Sequence, residues 1–144
     1  MKIHLATDHA GLTHKEIVKK YLIESGIEVV DHGAMVAIED DDYPDFMTPC
    51  AQAVAEDTES FGIIFGGSGQ GEAMCANRVP GVRAVVYYGG SHDILKLSRE
   101  HNNANILSIG ARFVTPEEII EVVKLWLATP FSGEARHIRR LSKF

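Results

Sequence analysis

Five short apolar runs alternate along the chain with longer segments in which apolar residues return every three or four positions. The runs are IHLAT (3 to 7), IEVVD (27 to 31), FGIIF (61 to 65), VRAVVY (82 to 87) and NILSIG (105 to 110), each of strand length. The segments between and after them, roughly 11 to 25, 44 to 58, 71 to 78, 91 to 101, 115 to 128 and 132 to 142, read as helices. TPEE at 115 to 118 supplies capping chemistry, and Pro44 suits a first helical turn. Parallel neighbours need crossovers of about a dozen residues, so strand and helix repeated five times predict a parallel sheet covered on both faces. The expected class is α/β: a doubly wound, Rossmann-like three-layer sandwich on a five-stranded parallel sheet. A single domain is expected over 1 to 144, with a helical tail from about 130. The longest irregular insertion is MVAIEDDDYPDF, 35 to 46.

Composition narrows the function classes. At 144 residues and 45% hydrophobic, the chain is long enough for one full core and short for two. No run of about 18 apolar residues and no basic, apolar leader is visible, so a soluble cytoplasmic protein is expected. Cys50 and Cys75 lack CxxC spacing and read as inert thiols in a reducing compartment. A net charge of −6 argues against nucleic acid or anionic membrane as a partner. Its distribution is uneven. Acids crowd EDDDYPD, whereas the final RHIRRLSKF carries Arg136, Arg139, Arg140 and Lys143 without an acid, a local cationic cluster suited to a small anion.

Ligands of doubly wound sheets bind beyond the carboxyl ends of the strands. That rule selects Asp8 and His9, the loop leading to Tyr43, Gly66 to Glu72, and Arg112. In GGSGQGE the glycines let backbone amides approach a ligand, which makes an oxyanion or phosphate cradle. The loop lacks the GK[ST] of a P-loop, and Glu72 stands where a dinucleotide fingerprint has its third glycine. Two readings fit Glu72: an acid complementing the helix dipole, or a base beside donors able to hold an oxyanion. Asp8 and His9 read as a helix cap or as ligand contacts. His101, with Asn102, reads as a cation at a helix C-terminus or as an acid in a site. No H-x-x-x-H pair or Cys/His cluster points to a metal. Arg136 and Arg140, four residues apart, share a helical face as a fork for phosphate or as a solvated tail.

Taken together, DHAG (8 to 11), DYPD (42 to 45), GGSGQGEAMCANRVPGVRA (66 to 84), SREHNNANILSIGAR (98 to 112) and RHIRR (136 to 140) resemble the ribose-5-phosphate isomerase B family over essentially the whole chain. That family also contains isomerases of galactose 6-phosphate and allose 6-phosphate. The resemblance implies cofactor-free interconversion of ribose 5-phosphate and ribulose 5-phosphate through an enediolate, in the pentose phosphate pathway. It implies no metal. By position, Glu72 resembles the base and His101 the acid that opens the furanose ring. Gly67, Ser68, Gly69 and Gly71 resemble the enediolate cradle, with Ser68 also among the catalytic groups. Asp8, His9, Tyr43 and Asn102 look like sugar and phosphate contacts, Arg136 and Arg140 like the phosphate clamp, and Arg112 and His137 like additional contacts. Some members carry a cysteine base at the end of the third strand. Here that position is Gly66, which places the chain in a glutamate branch. The link YYGGSHD (87 to 93) is longer than the family's usual one.

The topology adds an expectation of its own. His101 closes a helix running back from the carboxyl edge, which sets it on the rim opposite Glu72. A strand of five or six residues spans roughly 17 to 20 Å, too far for both groups to act on one pentose. A homodimer with shared sites, or a dimer of dimers, resolves the separation. The rivals are the same chemistry on a six-carbon sugar phosphate and a non-catalytic nucleotide-binding module that uses GGSGQG for phosphate alone.

Overall fold

The computed structural model describes residues 1–144. Strands β1 (Lys2–Thr7), β2 (Glu28–Asp31), β3 (Ser60–Gly66), β4 (Ala84–Tyr87) and β5 (Ile106–Gly110) form one sheet, all pairs parallel, in the order β2-β1-β3-β5-β4. Helices α1 (Leu12–Glu24), α2 (Pro44–Glu56), α3 (Gln70–Ala76), α4 (Asp93–Glu100), α5 (Ile119–Ala128) and α6 (Ala135–Leu141) follow the strands. The α/β class and the five-stranded parallel sheet expected from the periodicity are both present.

Alternation along the strands divides the core into two layers. Ile3, Leu5, Ile63 and Phe65 pack with Val18 and Leu22 of α1, Leu95 of α4 and Trp126 of α5. On the other face Ala6 and Ile64 meet Met47, Cys50 and Val54 of α2 and Ala76 of α3. Inert thiols were expected, and Cys50 is free and buried, with its ionisation pushed far up by the apolar surroundings.

Several elements are shorter than their periodicity suggests, each for a local reason. α2 stops at Glu56 because Asp57 closes a turn into β3, its carbonyl accepting from Ser60 N–H at 2.9 Å and its carboxylate from Glu59 N–H at 3.2 Å. TPEE forms a separate turn, with Glu118 N–H donating to Thr115 Oγ1 at 3.3 Å, and α5 begins after it. β4 begins at Ala84, where the Asn77 side chain grips both backbone groups of that residue at 2.8 and 2.9 Å.

Edge strand β2 is anchored by a buried charge. Lys15 is fully buried on α1 and donates to both carboxylate oxygens of Asp31 at 2.8 and 2.9 Å and to Ala34 O at 2.7 Å. Lys19 reaches the same carboxylate at 2.7 Å. Burial pushes the Asp31 carboxyl up, but bonds from Lys15, Lys19 and the Gly33 N–H outweigh it and hold the group below its ordinary range. The loop after β2 is thereby fastened at its start, and Thr7 N–H to Gly33 O (2.6 Å) with Ala34 N–H to Thr7 O (2.7 Å) ties it to the end of β1. Asp31→Ala would leave the Lys15 ammonium buried without its carboxylate. It is expected to lower stability by about 3–5 kcal/mol in urea denaturation; a change under about 1 kcal/mol would show that the pair carries little.

Candidate active site

β1 and β3 lie side by side, with Thr7 level with Phe65, so the segments after them leave the same rim of the sheet together. α1 packs on one face and α3 on the other, and the crevice between is the topological switch point of the sheet. Asp8 is buried there, and its Oδ1 accepts from Ala10 N–H at 2.9 Å, capping the 3₁₀ turn His9–Gly11. The capping reading of Asp8 is therefore observed, at a position that also faces the crevice.

The glycine loop beside it is fixed by β5. Ala111 N–H and Arg112 N–H donate to Gly66 O (2.8 Å) and Gly67 O (3.1 Å), and Ser108 Oγ donates to Gly69 O at 2.6 Å. These bonds turn the loop's carbonyls toward β5, while the amides of Gly67 and Ser68 donate to no other backbone group. Gly69 has φ +77°, a left-handed conformation that glycine takes without strain. Ser68 Oγ accepts from Gln70 N–H at 3.3 Å and starts α3.

Glu72 does not point outward like an ordinary helix-dipole partner. Its side chain is buried and folds back on the end of β3; a Cβ placed on Gly66 would land inside the carboxylate. A side chain at 66 and an inward Glu72 thus exclude one another, which gives the glycine at the end of strand three a steric reason. Glu72 Oε2 is buried without a partner. Burial raises the carboxyl above its ordinary value and the Asp8 charge adds to the rise, while the amides of Glu72 and Gly69 oppose it.

Tyr43 and Arg112 flank the loop. A Cβ on Gly71 would meet the Tyr43 hydroxyl at 2.9 Å, and one on Gly67 would meet the Arg112 guanidinium carbon at 3.1 Å. His9 completes this rim, its Nδ1 2.6 Å from Asp41 Oδ1. Asp41 was not separable from its neighbours in EDDDYPD, because a run of acids carries no mark of which one turns inward.

The remaining candidates lie on the opposite rim. His101 caps the end of α4, the helix C-terminus at which a cationic histidine is one of its two readings, and stacks on His137 of α6 with ring centroids 4.3 Å apart at 16°. His137 is buried with Nε2 unpartnered, and burial, then the neighbouring His101, keeps it below its ordinary pKa. Arg140 is exposed, and Arg136 is paired with Glu134 at 2.8 Å on the surface. Asn102 is exposed beside His101. Buried Arg99, another residue the sequence did not mark, holds this corner by donating to Thr129 O (3.1 Å), Asn103 Oδ1 (3.2 Å) and Ala104 O. Gly62 lies level with Ile106 and Gly66 with Gly110, so the rims are separated by four strand residues, about 13 Å, before the connecting loops are counted. One chain brings together Asp8, His9, Tyr43, Gly67–Glu72 and Arg112, and separately His101, Asn102, Arg136, His137 and Arg140; it does not join the two groups.

The family model for Ribose/Galactose Isomerase matches residues 3–144. Ribose-5-phosphate isomerase B of Mycolicibacterium paratuberculosis is 40% identical over 141 residues, 98% of this chain and 87% of that protein. Among solved structures, ribose-5-phosphate isomerase B from Mycoplasma genitalium with bound ribulose-5-phosphate superposes with a TM-score of 0.93 at 40% identity, covering 99% of this chain and 92% of that one. The Thermotoga maritima enzyme of the same name gives 0.90 at 42% identity, covering 99% and 95%. No helix is long and apolar enough to cross a membrane. With its full-length match to the model and to these relatives, the chain belongs to the ribose/galactose isomerase family.

Proposed function

We propose that the protein interconverts ribose 5-phosphate and ribulose 5-phosphate, with Glu72 carrying the proton between C2 and C1. The observation that carries this reading is the Glu72 carboxylate, buried against Gly66, with one oxygen unpartnered beside a loop that offers free amides. The relative from Mycoplasma genitalium, solved with ribulose-5-phosphate, supports the choice of substrate.

In this mechanism His101 donates a proton to the ring oxygen of the furanose as its bond to C1 breaks, and the C1 hydroxyl gives its proton to solvent, which frees the aldehyde. Glu72 then removes the C2 proton, leaving an enediolate whose oxygen takes the negative charge. Returning the same proton to C1, while the hydroxyl proton passes from O2 to O1, gives the ketose; no hydride and no outside redox partner is needed. A C–H beside a carbonyl is a weak acid, so two features of the site matter. Burial strengthens Glu72 as a base relative to a free carboxylate, and the cradle of Gly67, Ser68, Gly69 and Gly71 stabilises the oxyanion. One such donor is worth about a hundredfold to a thousandfold in rate. Asp8, Tyr43 and Asn102 orient the sugar hydroxyls. Arg136 and Arg140 grip the phosphate with His9, and Arg112 lies beside the glycine loop as a further contact. His137 backs the His101 ring.

Because the two groups of residues occupy opposite rims, we infer that the working unit is a homodimer in which one chain supplies Asp8 to Glu72 and its partner supplies His101, Asn102 and the arginines. Mixed dimers of Glu72→Gln and His101→Ala chains, each inactive alone, are expected to recover activity; verified hybrids with none would remove the shared site.

Glu72→Gln is expected to lower kcat by about 10²–10⁴-fold while ribose 5-phosphate binding persists. The folded protein holds the Glu72 proton more tightly than the unfolded chain, so its ionisation costs stability as pH rises through that window. The glutamine variant should therefore melt no lower than the parent at pH 7, and unchanged turnover would sink the base assignment. For the same reason the acid limb of the kcat/KM profile, which reports the free enzyme, should lie above the ordinary glutamate value. Gly66→Ala should displace the carboxylate and cost roughly a hundredfold in kcat with the circular dichroism spectrum intact; full activity would show that Glu72 works from another position. Assays of ribose 5-phosphate beside allose 6-phosphate and galactose 6-phosphate decide the sugar, and a preference for either hexose would replace the pentose in this reading.

A further inference from the structure

The loop from β2 to α2 is exposed from Met35 to Asp40, yet the next side chain turns inward: Asp41 is only 9% exposed. Asp40 makes the turn with φ +69°, a left-handed conformation uncommon outside glycine, and Asp41 N–H donates to Ile38 O at 3.2 Å. One carboxylate oxygen, Oδ1, then meets His9 twice, at the ring Nδ1 (2.6 Å) and at the backbone N–H (3.3 Å), while Oδ2 is buried without a partner. A carboxylate on a surface loop has water as its alternative, so its withdrawal onto a single histidine calls for an explanation in the site.

A separation of 2.6 Å is shorter than a neutral N–H···O bond and lies at the short limit of a charge-assisted one. Asp8, His9 and Asp41 can each bring one ligand atom within 4.8 Å of the others. Ligands of one tetrahedral zinc, however, stand roughly 3.3 Å apart for bonds of about 2.0 Å, so Nδ1 and Oδ1 as held share a proton and not a cation. With Nδ1 so engaged, the ring has one polar atom left: Nε2 makes no hydrogen bond within the chain. The charges facing His9 are Asp41 and Asp8, which favour the imidazolium, and Arg112, which opposes it. The bond to Asp41 is the largest influence, and the balance raises the histidine above its ordinary value.

We propose that Asp41 is a positioning residue for phosphate recognition: it clamps the His9 ring through Nδ1–H so that a cationic Nε2–H is presented to the phosphate of the sugar. The inference rests on the isomerase reading for the identity of the phosphate, whereas the Asp41–His9 contact is an observation independent of that reading. Orientation and charge both come from Asp41, and they can be separated. Asn at 41 keeps an acceptor for Nδ1–H and loses the charge, while Ala loses both.

The test follows Asp41→Asn and Asp41→Ala through three measurements: the NMR titration of His9 in substrate-free protein, kcat and KM for ribose 5-phosphate across pH, and calorimetric binding of inorganic phosphate. In the parent, His9 should titrate above the ordinary histidine value, and KM should rise as pH passes that midpoint. Both variants should lower the His9 midpoint. At pH 7.5 both should raise KM about tenfold or more, the scale of one lost hydrogen bond to a charged group, with kcat within about threefold. Near pH 6, where solution protonates His9, Asn should recover most of the parent KM and Ala should not. Inorganic phosphate should weaken in step. A parent midpoint at or below the ordinary value overturns the proposal without any variant. Unchanged KM in the variants, or a fall in kcat alone, also overturns it. A parent that binds phosphate through the pair yet turns over no sugar phosphate would instead retire the isomerase reading and leave the Asp41–His9 pair standing.

Discussion

The parallel pairing of β1 with β3, Lys2 to Thr7 against Ser60 to Phe65, is the constraint on which the site depends. The two strands are far apart in sequence and adjacent in the sheet. Their side chains fill both layers of the core, Leu5 and Phe65 on one side, Ala6 and Ile64 on the other. A slip of one residue would exchange those layers, so the register is held by the whole apolar core. Since it is held, Asp8 and Gly66 leave the sheet level with each other, and the polypeptide departs to opposite faces. A crevice opens there without any side chain being asked to make it.

Within that crevice the Glu72–Gly66 contact links fold to chemistry. Glu72 can fold back only because residue 66 has no side chain, and it loses water by doing so. The lost hydration makes ionisation unfavourable in the folded state and, for the same reason, makes the carboxylate a stronger base. Structural cost and proposed catalytic value are one quantity read from two sides. A cysteine at 66 would claim the same volume, so a thiol there and an inward glutamate at 72 are alternatives for a single space.

The strand and helix order, the parallel sheet and the rim carrying GGSGQGE were all legible, because periodicity and glycine placement are local signals. So was the separation of His101 from Glu72, since the direction of a crossover follows from the topology. Helix ends were less legible: the Thr115 turn and the Asp57 turn look helical in composition, and single hydrogen bonds decide where the helices begin or stop. The residues that composition could not single out are those whose meaning is purely spatial. Asp41 is one acid in a run of acids until Asp40 turns it inward. Arg99 is an ordinary helical arginine until its guanidinium is seen capping carbonyls from two other segments. His137 sits in a basic tail that looks solvated, yet it is buried on His101.

The charges on the two rims bear on why a single chain would be a poor binder of a sugar phosphate. The rim with Glu72 also holds Asp8 and Asp41, against which stand His9 and Arg112 as cations. Two of those three acids sit beside the imidazole that would meet the phosphate. A dianion approaching this rim alone meets nearly balanced charge. The opposite rim has Arg136, Arg139 and Arg140 on one short helix, with Glu134 as the only acid paired to them. Coulomb attraction at an effective dielectric constant near 20 is about 4 kcal/mol for unit charges 4 Å apart and falls with separation. Arginines more than a strand length away therefore cannot serve, in the same chain, the phosphate that the proposed site places beside His9. In the proposed dimer the cationic rim of one copy faces the acidic rim of the other. The charge that each half lacks is then supplied by the association that also completes the set of proton donors and acceptors.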